Sequence, residues 1–220
     1  MIESIFGPMF AGKTSELMRK IKRHRLAGKK CVVINFLNDN RYSLEDKIVS
    51  HDQISISAIK CIKLEDIPND VIEASEVIGI DEGQFFPDLC SKANKWANSG
   101  KVVLIAALDC TYQMKPFNHV TDLLAISENV TKLTAVCMDC GKDAAFTKRT
   151  TRDSQIQLIG GLDMYKPVCR KCFNSLPEYM TPKKAKVATS NINKFNSCDI
   201  KDKEKLFEEM LNIQDTIKNK

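Results

Sequence analysis

Gly7-Pro8-Met9-Phe10-Ala11-Gly12-Lys13-Thr14 fits the phosphate-binding loop pattern G-x-x-x-x-G-K-[ST]. Its flanks fit too: Ile2-Glu3-Ser4-Ile5-Phe6 reads as a short strand, and Ser15 to Leu26 reads as a helix. Glycines at both ends let backbone N–H groups converge on one point. That point is also the positive end of the helix, so a polyphosphate binds there favourably. In such a loop Lys13 reaches the β- and γ-phosphates and the Thr14 hydroxyl binds Mg2+. The alternative is a glycine turn that matches the pattern by chance, and the strand before and the helix after disfavour it.

Three more apolar runs read as strands: Lys30 to Phe36, Glu76 to Ile80 and Val102 to Ala107. They are near-continuously apolar, as strands buried on both faces of a parallel sheet are. Between the second and third, Pro87 opens a helix at its tolerated first turn and Gly100 closes it. Strand, helix and strand in alternation predict an α/β domain over residues 1–133, with ligands outside the C-terminal edge of the strands.

Two acids stand at that edge. Asp81 and Glu82 follow the strand ending at Ile80, the Walker B position relative to the loop. Asp81 there holds Mg2+, directly or through water. Glu82 is then free to orient an attacking oxygen and accept its proton. Asp39-Asn40-Arg41-Tyr42 ends the strand that begins near Lys30. Arg41 could reach phosphate and stabilise charge in transfer, although an exposed arginine is usually only a solvated side chain.

From residue 134 the alternation gives way to paired cysteines and short strand-like segments. Cys137-Met138-Asp139-Cys140 and Cys169-Arg170-Lys171-Cys172 are two C-x2-C knuckles. Their separation exceeds the common zinc-ribbon spacing, but a long loop between knuckles is geometrically harmless. Four thiolates suit a closed tetrahedral Zn2+ site of structural type. Between the knuckles, Gly160-Gly161 would let a loop approach a small molecule with its backbone, and a plain turn reads equally well. This segment, 134–180, is expected to form a small zinc-bearing domain. Residues 181–220 are polar and lysine-rich, with only one short amphipathic stretch from Lys203 to Ile213, and are expected to be disordered.

The bulk numbers exclude several classes. With 220 residues the chain holds one good-sized core and a small appendage. A hydrophobic content of 43% with 28% charged residues is that of a soluble globular protein. A net charge of +5 without a clustered basic face does not argue for nucleic-acid binding. No apolar run is long enough to span a bilayer. The first strand begins at once, leaving no room for a signal peptide, so the cytosol, or else the nucleus, is the expected compartment. Nine cysteines in a reducing compartment are not a disulfide framework. Cys31 and Cys90, in apolar company, read as core residues.

Taken together, these segments resemble the thymidine kinase 1-like family, the type II thymidine kinases, from Ile5 to about Cys172. The resemblance is carried by residues 7–14, Asp39 to Tyr42, Asp81-Glu82-Gly83-Gln84-Phe85-Phe86, Ala107 to Gln113 and Lys115-Pro116-Phe117. It continues through Leu133 to Cys137, Phe146-Thr147-Lys148-Arg149 and Gly160 to Cys172. It implies a P-loop, RecA-like α/β core and a small zinc domain carrying a "lasso" over the nucleoside. It also implies transfer of phosphate from Mg2+–ATP to the 5′-hydroxyl of thymidine or deoxyuridine.

By position, Glu82 resembles the family's general base. Gly7 to Thr14, Asp39, Asn40, Arg41, Asp81 and Gln84 resemble its ATP set. Phe85 and Tyr112, with Phe117, resemble the aromatic walls against the base. Met9, Leu108, Thr147 and Tyr165 resemble the pocket around the thymine methyl group. Ile156, Gln157, Leu158, Ile159 and Gly160 resemble the backbone that hydrogen-bonds the base. A homotetramer inhibited by thymidine triphosphate is a further implication, with no nucleic-acid or membrane partner. Ala11 stands where the family usually has Ser, Cys110 where Gly is common, and Tyr112 where many relatives have Phe. The rival readings are the same fold with another nucleoside preference, and an ATPase whose zinc module grips nucleic acid.

Overall fold

In the computed structural model the described residues are 1–37, 47–49, 55–117, 119–151, 160, 161 and 163–175. Asp39 to Tyr42, Ile156 to Ile159 and the segment from 181 onward lie outside them, so the readings made on those residues have no structural counterpart here.

The chain runs through β1 (Ile2–Phe6), α1 (Lys13–Leu26), β2 (Cys31–Phe36), β3 (Lys47–Val49), β4 (Ser55–Ser57) and β5 (Ile59–Cys61). Next come α2 (Asn69–Ala74), β6 (Val77–Ile80), α3 (Leu89–Asn98), β7 (Val102–Ala107), α4 (Val120–Ile126) and β8 (Asn129–Lys132). The last elements are β9 (Ala135–Val136), β10 (Asp143–Ala144), β11 (Phe146–Arg149), β12 (Tyr165–Val168) and α5 (Arg170–Asn174). All lie in one compact unit, Met1–Asn174.

Six strands form one sheet in the order β5-β2-β6-β7-β1-β8. Every pairing in it is parallel. The α/β expectation is met, and the cause is visible in the strands. Along β7, Val103, Ile105 and Ala107 join one apolar cluster while Leu104 and Ala106 join the other. Successive side chains leave opposite faces, so a strand covered on both sides must be apolar throughout. One face packs on Leu17, Met18 and Ile21 of α1. The other packs on Leu89, Ala93 and Trp96 of α3 and Val120 and Leu123 of α4. Each fully buried aliphatic side chain contributes about 1.5–3 kcal/mol of hydrophobic stabilisation, so this two-sided core dominates the fold.

Boundaries differ from the expectation by a few residues. Helix α1 begins at Lys13, inside the loop motif. Helix α3 begins at Leu89, so Pro87 precedes it. Beyond the sheet, β9 and β10 form one short antiparallel pair and β11 and β12 another. Among the described residues, no helix is long and apolar enough to cross a membrane.

Candidate functional site

β7 lies between β6 and β1, so the C-terminal ends of these three strands are neighbours. They deliver three turns to one place: the loop 7–14 after β1, Asp81-Glu82 after β6, and Leu108 onward after β7.

The loop is held in a shape that suits an anion. Gly7 has φ 153°, and a Cβ there would lie 2.7 Å from the Leu133 carbonyl oxygen, so no larger residue fits. Phe10 and Gly12 take φ of 64° and 80°. Left-handed residues among ordinary ones are the backbone signature of a concave cluster of N–H groups. Gly12 caps α1, whose partial positive charge adds to the attraction. The Lys13 ammonium folds over the loop and donates to the Pro8 carbonyl at 2.8 Å. A polyphosphate fits this cradle.

Thr14 Oγ1 donates to Asp81 at 3.0 Å from Oδ2 and 3.2 Å from Oδ1. Asp81 is 4% exposed. A hydroxyl and a buried carboxylate in contact beside a phosphate cradle are the oxygen donors Mg2+ takes. The next residue, Glu82, has φ 53° and ψ 39°, the left-handed region, at a cost of order 1–2 kcal/mol. From it springs a 3-10 turn over Gly83–Phe85, with Phe85 N–H donating to the Glu82 carbonyl at 3.1 Å. Gln84 is buried under that turn. Its Nε2 donates to Glu82 Oε2 at 2.5 Å, and its Oε1 accepts from the Leu108 N–H at 2.9 Å.

Phe85 packs against Phe36 with ring centroids 5.1 Å apart and meets Phe117 edge-on at 6.1 Å. Met9, Thr147 and Tyr165 are buried, and Leu108 and Tyr112 are half-buried. The Met9 N–H donates to Thr147 Oγ1 at 3.0 Å, which ties the phosphate loop to β11. Arg149, two residues on along the same strand, lies over the Tyr112 ring at 3.9 Å and donates to Tyr165 Oη at 2.7 Å. Tyr112, in the turn after β7, and Tyr165, on β12, thus share one guanidinium.

The sulfur atoms of Cys137, Cys140, Cys169 and Cys172 all lie within 4.8 Å of one another, and Cys140 and Cys169 Sγ are 3.6 Å apart. Tetrahedral Zn–S bonds of about 2.3 Å place sulfurs about 3.8 Å apart, so the cluster fits zinc. The knuckle 137–140 is closed by the Gly141 N–H donating to the Cys137 carbonyl at 2.8 Å and the Cys137 N–H donating to the Lys142 carbonyl at 2.7 Å. Burial pushes the Cys137 thiol up, but hydrogen bonds from the backbone at Cys169 and Asp139 outweigh it and bring it down to about 6. Cys172, hydrogen-bonded to Cys140 and Cys169, is pushed up to about 12. Sulfurs packed this closely do not all ionise on their own, whereas a dication would stabilise all four as thiolates.

A sequence model of the family described as thymidine kinase matches residues 1–173. The thymidine kinase of Variola virus is 50% identical over 172 residues, covering 78% of this chain and 96% of that protein. That of Myxoma virus (strain Uriarra) is 51% identical over 172 residues, covering 78% and 95%. That of Vaccinia virus (strain Western Reserve) is 49% identical over 172 residues, covering 78% and 96%. The chain belongs to the thymidine kinase family.

Membership of the thymidine kinase family makes the chain a kinase, and the three strand ends bring its candidate site residues together. Two features of the site were not singled out from sequence. Arg149 was legible in principle, because Thr147 and Arg149 alternate on a strand and so share a face. The inward turn of Gln84 was not. Nothing in Asp-Glu-Gly-Gln says that the fourth side chain bends back under the second.

Proposed function

We propose that the chain transfers the γ-phosphoryl group of ATP to the 5′-hydroxyl of thymidine, and of deoxyuridine, giving the nucleoside monophosphate and ADP for DNA synthesis by salvage. The observation that carries this reading is the Glu82 carboxylate, set one residue beyond the Asp81–Thr14 pair at the mouth of the phosphate loop. Its closest support beyond the geometry is the roughly 50% identity to viral thymidine kinases.

Glu82 accepts the 5′-hydroxyl proton as that oxygen bonds to the γ-phosphorus, while the bond from phosphorus to the β,γ-bridging oxygen breaks and its electron pair leaves with ADP. Lys13 binds the β- and γ-phosphates, and Arg41 adds a second positive charge to the transferred group. Thr14 and Asp81 hold Mg2+, which neutralises phosphate charge when bound. Gly7, Pro8, Met9, Phe10, Ala11 and Gly12 hold the phosphates through the backbone, and Asp39 and Asn40 complete the ATP side.

Phe85, Phe117 and Tyr112 wall the base. Met9, Leu108, Thr147 and Tyr165 surround its methyl group, and the backbone of Ile156 to Gly160 hydrogen-bonds its edge. An apolar pocket discriminates a methyl group by only about 1–3 kcal/mol, so both nucleosides pass. Zinc on the four cysteines takes no part in the reaction. A cytoplasmic homotetramer inhibited by thymidine triphosphate is the form that the family resemblance supports.

The test is transfer of label from γ-labelled ATP, with Mg2+, to a panel of nucleosides, beside ATP hydrolysis with and without single-stranded DNA. Label on thymidine and deoxyuridine is expected. Preferred labelling of another nucleoside, or DNA-stimulated hydrolysis without transfer, overturns the reading.

A further inference from the structure

Gln84 is 3% exposed, and both ends of its amide are engaged inside the protein. The Nε2 end donates to Glu82 Oε2 at 2.5 Å, and the Oε1 end accepts from the Leu108 N–H at 2.9 Å. Leu108 immediately follows β7, the strand between the phosphate loop's strand and that of Asp81. The amide is therefore a strut from the frame of the sheet to one oxygen of the Glu82 carboxylate.

Glu82 needs such a strut. Its backbone is left-handed, a conformation that a glutamate reaches only when its surroundings hold it there. Gly83 contributes from below. A Cβ at Gly83 would come within 3.0 Å of Ile105 Cγ2 and 3.4 Å of the Ala106 carbonyl oxygen, so the turn sits directly on β7. With the backbone fixed, the Glu82 side chain still has three rotatable bonds. The Gln84 hydrogen bond to Oε2 removes part of that freedom and fixes the direction in which the carboxylate points. Asparagine is too short to reach both partners, and a glutamate could accept from Leu108 but would offer a second acceptor to Glu82.

We propose that Gln84 is a positioning residue that orients the Glu82 carboxylate for proton abstraction, acting through Glu82 rather than on ATP. The inference rests on the general-base reading of Glu82. An amide bond to the sheet frame holds the carboxylate in one rotamer before substrate arrives, and misplacement by an ångström costs such steps about 10²-fold.

The test is a steady-state comparison of Gln84→Met, Gln84→Glu, Glu82→Gln and the double variant Glu82→Gln/Gln84→Met. Gln84→Met keeps the shape and removes both bonds. Gln84→Glu keeps the Leu108 bond and removes the amide donor. Both are expected to lower kcat by about 10- to 100-fold, with KM for ATP and thymidine within about threefold of wild type. In the Glu82→Gln background, Gln84→Met is expected to cost less than about threefold, because it acts through a group already lost. Three results overturn the proposal: wild-type kcat in Gln84→Glu, an equal cost of Gln84→Met in both backgrounds, or a loss that falls on KM for ATP. If Glu82→Gln alone keeps its turnover, it is the general-base reading that fails. If Glu82→Gln is inactive while both Gln84 variants are normal, only the positioning role fails.

Discussion

The parallel sheet and the cysteine-bearing hairpins reach a defined shape by opposite means. The sheet is buried on both faces, and residues such as Ile5, Ile34, Val77, Ile78, Leu104 and Ile105 are wholly inaccessible. Among the described residues, the hairpins' own apolar cluster is small: Ala135, Cys137, Ala144 and Val168 are buried in it, with Phe146, Phe173 and two more of the cysteines against them. Three of those packing groups are candidate metal ligands. Take the four-cysteine cluster away and little of this apolar cluster is left. One region is thus held by apolar area and the other gathers around a four-sulfur cluster, and the proposed nucleoside pocket draws residues from both. Catalysis and stability should accordingly come apart in the sheet and fail together in the hairpins.

The largest effect is expected at Cys137, the most buried of the four sulfurs. Binding free energy at a structural zinc site is folding free energy, of order 10–16 kcal/mol for small zinc modules. Cys137→Ser should purify with far less than one zinc per chain by elemental analysis, with low solubility and lost thymidine binding. ATP affinity should fall less, because the loop 7–14 is built on β1 and α1. A variant that retains one zinc per chain and binds thymidine normally would break the contrast.

Glu82→Gln should do the reverse. It keeps the shape of the side chain, so thermal unfolding and binding of both substrates should match wild type. The amide cannot take the proton, and kcat should fall about 10²–10⁴-fold. Wild-type turnover would remove Glu82 from its role.

Lys13→Ala comes next. Its ammonium lies over the loop, 2.8 Å from the Pro8 carbonyl oxygen, and in the proposed reaction it meets the phosphate charge. Loss of one such charge costs about 10²–10³-fold in catalysis. The penalty should appear in KM for ATP as well as in kcat, with no change in zinc content. A variant of wild-type kcat and KM would show that the loop backbone alone carries the phosphates.

How much of this was legible in the sequence follows the same division. The sheet was readable because two-sided burial makes its strands apolar without interruption, and because the loop motif constrains the turn after β1 at residue resolution. The cysteine pairs were readable because metal geometry imposes their spacing. The edge strands were harder: β8 is largely exposed, with no apolar run to announce it. The contacts that join the two regions were harder still. Thr147 accepting from the Met9 N–H and Arg149 bridging two tyrosines depend on register across β11 and β12, where Arg149 stands opposite Tyr165. Register between hairpins is set by turns and packing rather than by local pattern.

The smallest expected effect probes that junction. Tyr112 comes from the sheet side, in the turn after β7, while Arg149 and Tyr165 come from the hairpins. The Arg149 guanidinium lies 3.9 Å from the Tyr112 ring centroid, a contact that needs the ring and not the phenol oxygen. The oxygen accepts a hydrogen bond from Gln113 Nε2 at 3.1 Å in an exposed position, and such a bond is worth at most about 0.5–1.5 kcal/mol net. Tyr112→Phe therefore keeps the stack that couples the two regions and gives up the weaker Gln113 contact. Its kcat for thymidine should be unchanged and its KM should move by less than about threefold. A tenfold rise in KM, about 1.4 kcal/mol, would mean that the phenol oxygen itself contacts the nucleoside, so that the sheet side supplies polar recognition as well as an aromatic wall.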